Sequence, residues 1–226
     1  MQVTEHALFP TRLLTIQFPD VDGLNEELFR ILTTRDEFRE GFDMHPDSLN
    51  LLKLAETCPA IARVRGMLLE GLKHWLAAER AHGEMIADVT LFCNFANRGD
   101  YTIVHNHSAD VVGVYYVRTA ATKKPALALP DPDGDYDYFD PEDGALILHD
   151  PRFNANLAAA RSTDYAKVFP RPGLMLIFPA YLWHSVTPSQ SDGRRLALSA
   201  NFSLRAKEAS NAESFPIRIE NKSTTK

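Results

Sequence analysis

Apolar residues recur along the 226-residue chain with two different periods, and the change between them falls near residue 85. Before it the spacing is helical. "PTRLLTIQFP" (10–19) reads as a first strand. Leu24, Leu28, Ile31 and Leu32 then recur three and four apart, and Asp20 or Asp22 can cap that helix. A polar turn around "GFDMHPDS" ends it. Residues 47–82 carry the longest helical pattern. Leu51, Leu52, Leu54 and Ala55 lead up to Pro59, which can open a new helix. Ile61, Val64, Met67, Leu68, Leu72 and Leu76 form one apolar stripe, and Gly83 is expected to stop it.

From residue 85 the apolar runs are short and separated by turns. "MIADVTLFCNFANRGD", "YTIVHNH", "VVGVYYVRTA", "ALILHDPR", "AKVFP", "GLMLIFPAYLWHSVTP" and "RRLALSANFSLR" supply about eight strands, the number such spacing suggests. "LPDPDGDYDYFDPEDG" is a loop: a solvated connection, or a lid over 130–144 that brings Tyr136, Tyr138 and Phe139 to a site. In the tail, "FPIRIE" can fold back before the chain frays. The order strand, helices, strands predicts an α+β fold, with helices on one face of an antiparallel sandwich or barrel. A single domain over 1–226 is expected, with a mainly helical part at 1–84 and a β core and tail at 85–226.

Composition narrows the function classes. The net charge of −6 and the lack of a basic patch argue against nucleic acid as the main partner. No apolar run approaches a membrane span, and the N-terminus does not read as a secretory signal. Cys58 and Cys93 form neither a CxxC pair nor a disulfide framework, so a cytoplasmic location is expected.

The candidate chemistry lies in "DYTIVHNHSADVVGVYYV" (100–117). Side chains alternate along a strand, so His105 and His107 face the same way, with Tyr101 and Ile103 if the strand reaches them. Two imidazoles on one face make two-thirds of a facial metal site. His184, placed near the end of the apolar run "GLMLIFPAYLW", is the candidate third ligand. Three protein ligands leave coordination positions open. The plainer reading is a surface His-x-His and a structural His184. His6, His45, His74 and His82 have no partner spacing and read as structural, while the role of His149 is open. Arg195 opens "RLALSANF". An Arg entering an apolar interior needs an anion, which a bound carboxylate or an acid of this chain could supply. Arg194 would point the other way, to solvent.

Three pieces, "NHSADVVGVYYV", "DPR" and "RPGLMLIFPAYLWHSVTPSQSDGRRLALSANF", resemble a family of 2-oxoglutarate, Fe(II)-dependent oxygenases of mostly unassigned substrate. More distantly they are similar to prolyl hydroxylases. The resemblance covers roughly 88–204, and its most specific block lies at 173–188. It implies a double-stranded β-helix, a cupin-like jelly roll. It implies Fe(II) held by His105, His107 and His184, with 2-oxoglutarate anchored by Arg195. Asn94, Tyr101 and Asn201 would line the co-substrate pocket, and Val112, Val114, Leu176 and Phe178 would form its dry wall. Asp150 and Arg152 match the "DPR" element without an assignable role.

Two departures matter. The usual oxygenase triad has two His and one carboxylate, and here His107 stands at the carboxylate position. A three-His site is favoured; Asp110 supplying an oxygen after a turn at Ser108, or loss of iron chemistry, are the alternatives. Ala197 stands where many such oxygenases have a Ser, which removes a hydrogen bond worth about 0.5–1.5 kcal/mol. The expected function is hydroxylation of a small-molecule or peptide substrate. The alternatives are a cupin-type dioxygenase or isomerase that does not use 2-oxoglutarate, and a non-catalytic cupin-like protein that binds a small acid.

Overall fold

The structure is a computed structural model. It describes residues 10–34, 51–81, 83–121, 124–128, 144–152, 165–190, 192–206 and 214–219. The lid reading of 130–144, apart from Gly144, lies outside these, as do His6, His45 and His82.

Two antiparallel sheets make up the β part. The larger has six strands in the order β1 (Leu14–Gln17), β8 (Leu174–Pro179), β4 (Val111–Arg118), β10 (Arg195–Ala206), β2 (Gly83–Ala96) and β11 (Ser214–Ile219). The smaller has five: β3 (Thr102–His105), β9 (His184–Val186), β6 (Leu146–His149), β7 (Tyr165–Val168) and β5 (Leu127–Ala128). Among the described residues ten strands follow the helices, rather than about eight. The surplus comes from the two-residue β5 and from β11, where the "FPIRIE" tail does fold back onto β2.

The helices described before that run of strands are α1 (Asp22–Thr34), α2 (Leu51–Thr57) and α3 (Pro59–Ala78). Pro59 opens α3 as the spacing predicts, because its missing N–H is one that a first turn leaves unpaired anyway. The helix stops earlier than expected. It ends at Ala78, Arg80 turns the chain at φ 59°, and Gly83 already belongs to β2.

The six-stranded sheet is apolar on both faces, and strand parity separates them. On one face Leu91, Val111, Tyr115, Ile177, Leu198 and Phe202 pack with the helical stripe of Ile61, Val64, Leu68 and Leu72. On the other, Val112, Tyr116, Leu176, Phe178 and Ala197 pack toward Leu146 and Leu148 of the smaller sheet. The helices therefore close one side, and a cavity lined from both sheets opens on the other.

Gly113 lets α3 approach. A Cβ there would stand 2.8 Å from Leu68 Cδ2 and 3.1 Å from Ile177 Cδ1. Gly113→Val is expected to cost about 1–3 kcal/mol, the usual range for overpacking, read as a lower urea midpoint.

Candidate metal centre

The three histidines predicted from sequence meet. Their ligand atoms all lie within 4.8 Å of one another. The route differs from the expected one. β3 ends at His105, and His107 lies beyond it in a loop that its own N–H ties to the Ala180 carbonyl at 3.1 Å. Strand parity does not place it; that loop contact does. His184 does not end the "LMLIFP" strand either. The chain turns at 180–183, with the Leu182 N–H on the Pro179 carbonyl at 3.0 Å, and His184 opens β9 in the opposite sheet. There it pairs with His105 across the β3–β9 ladder.

Two backbone carbonyls set the tautomers. His105 Nδ1 lies 2.8 Å from the Ile103 carbonyl, and His184 Nδ1 lies 2.9 Å from that of Leu182. A carbonyl only accepts, so each Nδ1 carries the proton and each Nε2 presents a lone pair. His107 Nε2 stands 3.2 Å from His184 Nε2 and donates to it. Two nitrogens each ~2.1 Å from one ion, at right angles, stand about 3 Å apart. The His107–His184 pair already stands at that spacing; the third nitrogen, in a set spread over up to 4.8 Å, would close in on an ion to complete a facial N₃ site, and the metal would take the place of the proton between the pair.

Burial keeps two of these rings neutral. It pushes His107 down to about 4, helped by the charge of His105. It pushes His184 down to about 4 as well; the Leu182 carbonyl opposes this, and His105, His107 and His149 add to it. The unfolded chain holds protons on these residues below about 6.5, whereas the folded chain takes them up only near 4. Their contribution to stability is therefore complete above about pH 6.5 and is lost as the pH falls toward 4. In thermal melts with a chelator present, the protein should unfold at a lower temperature at about pH 4.5 than at about pH 7. His107→Ala should flatten that dependence.

Asp110 does not join the histidine cluster. Its Oδ2 accepts the Leu204 N–H at 2.6 Å, and its own N–H donates to the Phe202 carbonyl, so it is tied to β10. Arg195 begins β10 and lines the same cavity as the three histidines. Its guanidinium carbon is 5.3 Å from the centre of the Tyr116 ring. Its Nε is buried with no hydrogen-bond partner among the described residues. Tyr116 is fully buried beside Arg195; burial holds its phenol above the usual value against the pull of that charge.

The other expected pocket residues divide. Asn94 lines the cavity, and its Nδ2 donates to Ser199 Oγ at 2.8 Å. Tyr101 lines it at the rim, 60 % exposed. Asn201 is not among the cavity-lining side chains; it sits further along β10, paired with Thr90 and Val112, and its buried Oδ1 has no partner among the described residues. Val112 and Val114 line the cavity, while Leu176 and Phe178 lie in the apolar layer behind it. Asp150 and Arg152 pair with each other at 2.7 Å, a local clasp that holds the Asp150 carboxyl below its usual range. His149 Nε2 stands 3.2 Å from Ser185 Oγ, outside the triad. Arg194 donates to Asn97 Oδ1 and lies over Phe95 rather than standing free in solvent.

Sequence reading missed Tyr116 and Ser199. Parity would have found both, since Tyr116 follows Val112 and Val114 by twos, and Ser199 follows Arg195 and Ala197 the same way. A further feature is a rim. Ile103 (70 % exposed), Val104, Tyr101, Tyr181 (55 %) and Trp183 are large apolar side chains left in solvent. All five lie within four residues of a histidine of the triad in sequence.

Residues 90–201 match the sequence family described as "Putative 2OG-Fe(II) oxygenase". No curated protein matches the chain in sequence. Several solved structures share its fold. AviO1 from Streptomyces viridochromogenes is 14 % identical with a TM-score of 0.53, covering 89 % of this chain and 92 % of its own. A prolyl-4-hydroxylase from Pseudomonas putida is 14 % identical with a TM-score of 0.50, covering 87 % and 94 %. HygX from Streptomyces hygroscopicus, solved with nickel and 2-oxoglutarate bound, is 16 % identical with a TM-score of 0.51, covering 85 % and 82 %. At these identities the likeness establishes the double-stranded β-helix. The sequence match, which encloses His105, His107, His184 and Arg195, identifies residues 90–201 as a region of the 2-oxoglutarate, Fe(II)-dependent oxygenase family.

Proposed function

We propose that the protein is a non-haem Fe(II), 2-oxoglutarate-dependent oxygenase acting through 1–226 as one domain. His105, His107 and His184 hold the metal, and Arg195 holds the far carboxylate of the co-substrate. The observation that carries this is the convergence of three imidazoles beside an arginine whose buried Nε has no partner among the described residues. The bound metal and co-substrate supply oxidation of a C–H bond coupled to loss of carbon dioxide from 2-oxoglutarate.

The chain's own residues do the rest. The carbonyls of Ile103 and Leu182 hold two imidazoles in the tautomer that binds metal. The Tyr116 ring packs beside the arginine, and Val112, Val114 and Leu146 keep the cavity wall apolar. Asn94 and Ser199 add a polar pair on the same wall. The rim of Tyr101, Ile103, Val104, Tyr181 and Trp183 supports a substrate with an apolar body, small molecule or peptide, that reaches past the cavity mouth. Two free cysteines support a reducing cytoplasm, and no helix among the described residues is long and apolar enough to cross a membrane.

One observation favours a second reading. The ligand set is three neutral histidines, which also suits a metal dioxygenase that takes its substrate's carboxylate directly at Arg195. The test is succinate formation from 2-oxoglutarate by iron-loaded protein in air. Slow, iron-dependent succinate without added substrate supports the oxygenase, since uncoupled turnover needs only the co-substrate. No succinate, with iron bound, supports the second reading.

A further inference from the structure

We infer that Asn94 is a second anchor for the far carboxylate of the co-substrate, and that Ser199 is the residue that aims it. This rests on the proposed function and follows from the strand register. Asn94 on β2 stands directly across from Ala197 on β10, and Ala197 stands across from Tyr116 on β4. The three make one row across the sheet, and all three line the cavity. Arg195 reaches the Tyr116 end of this row from the neighbouring cavity-facing position of β10. Its guanidinium carbon is 5.3 Å from the centre of the Tyr116 ring, and its Nη1 lies 3.5 Å from where a Cβ on Gly144 would sit. The guanidinium thus stands at one end of the row and the Asn94 amide at the other. Between them Ala197 brings only a methyl, which makes no hydrogen bond.

The amide has a donor to spare. Asn94 Nδ2 carries two hydrogens. One goes to Ser199 Oγ at 2.8 Å, and neither side chain has a further hydrogen bond among the described residues. Turning the amide over exchanges the atom that meets Ser199 and still leaves N–H groups unused. Ser199 is 4 % exposed and occupies the next cavity-facing position beyond Ala197, so the clasp fixes the amide on the cavity wall. A carboxylate only accepts, and a donor facing a charged acceptor makes a stronger bond than one facing a neutral group. A bond that merely ties β2 to β10 would change stability and nothing else.

The test uses the full chain with Fe(II), without oxygen, and titrates two acids. The first is 2-oxoglutarate. The second is 2-oxovalerate, which has a methyl in place of the far carboxylate. The visible band of the complex reads both, because both meet the metal through the same 2-oxo acid end. Asn94→Ala should weaken 2-oxoglutarate about tenfold or more and leave 2-oxovalerate within about twofold of wild type. Asn94→Asp keeps the shape and can still accept from Ser199, but it sets a negative charge in the row. It should weaken 2-oxoglutarate further than Asn94→Ala does, and it stands in if Asn94→Ala does not fold. Ser199→Ala should weaken 2-oxoglutarate less than Asn94→Ala, and should add nothing in the Asn94→Ala background. Unchanged 2-oxoglutarate affinity in the Asn94 variants overturns the inference, as do equal losses for the two acids. An undiminished effect of Ser199→Ala in the Asn94→Ala background overturns the role given to Ser199. Wild-type protein that binds iron and gives no band with either acid refutes the proposed function itself, and this inference falls with it.

Discussion

His184→Ala should lower Fe(II) affinity by on the order of 100-fold or more, since even the partners behind a metal ligand are worth 10–100-fold. The side chain is 5 % exposed and stands on β9, opposite His105. No other His, Cys, Asp or Glu among the described residues joins the cluster that could replace it. Equilibrium dialysis against Fe(II) without oxygen reads the loss directly. The fold should survive, because the substitution removes a ring at the cavity wall rather than from the helix-facing core. Unchanged circular dichroism with lost metal is the expected pair of results.

Arg195→Ala should spare the metal and lose the co-substrate. A charge-assisted bond from a guanidinium to a carboxylate is worth about 1.5–3 kcal/mol, so 2-oxoglutarate affinity should fall by roughly 10- to 100-fold. Tyr116, fully buried, would lose the guanidinium that stands 5.3 Å from its ring, which adds a modest fall in stability. Arg195→Lys should recover only part of the binding, because an ammonium lacks the planar fork that meets a carboxylate with two donors. Calorimetry with metal-loaded protein separates the three cases. Equal 2-oxoglutarate affinity in wild type and Arg195→Ala would remove the anchor from the site.

Regular elements are legible in the sequence, and irregular ones are not. β10 pairs with β2 without a break from Arg195 to Ala206. Alternation therefore sends Arg195, Ala197 and Ser199 to the cavity and Leu196, Leu198 and Ala200 to the helices. The same rule misleads between residues 101 and 107. The β3–β9 ladder shifts register between Thr102 and His105, so Ile103 and Val104 are both exposed, and His107 is already past the strand. Its side chain reaches the site through the bond from its backbone to Ala180.

The turn before His184 is hidden for a different reason. "LMLIFPAYLW" is apolar throughout, and its one marker of a break is Pro179, where the strand ends and whose carbonyl closes the turn. Yet Ala180 and Leu182 are buried in the inter-sheet layer while Tyr181 and Trp183 turn outward, so one run serves a strand, a turn and part of the rim. Asp110 shows the limit of local reasoning. Whether it binds metal or the β10 backbone depends on a contact 94 residues away. The resemblance puts Asn201 in the co-substrate pocket, but along β10 the cavity lining ends at Ser199, one step before it.

The most direct test is the optical spectrum of the protein with Fe(II) and 2-oxoglutarate, recorded without oxygen. Chelation of the co-substrate to iron gives a visible charge-transfer band. The band should appear in wild type, vanish in His184→Ala, and need far more 2-oxoglutarate in Arg195→Ala. Tight iron binding with no band at any 2-oxoglutarate concentration would contradict the oxygenase assignment for this site.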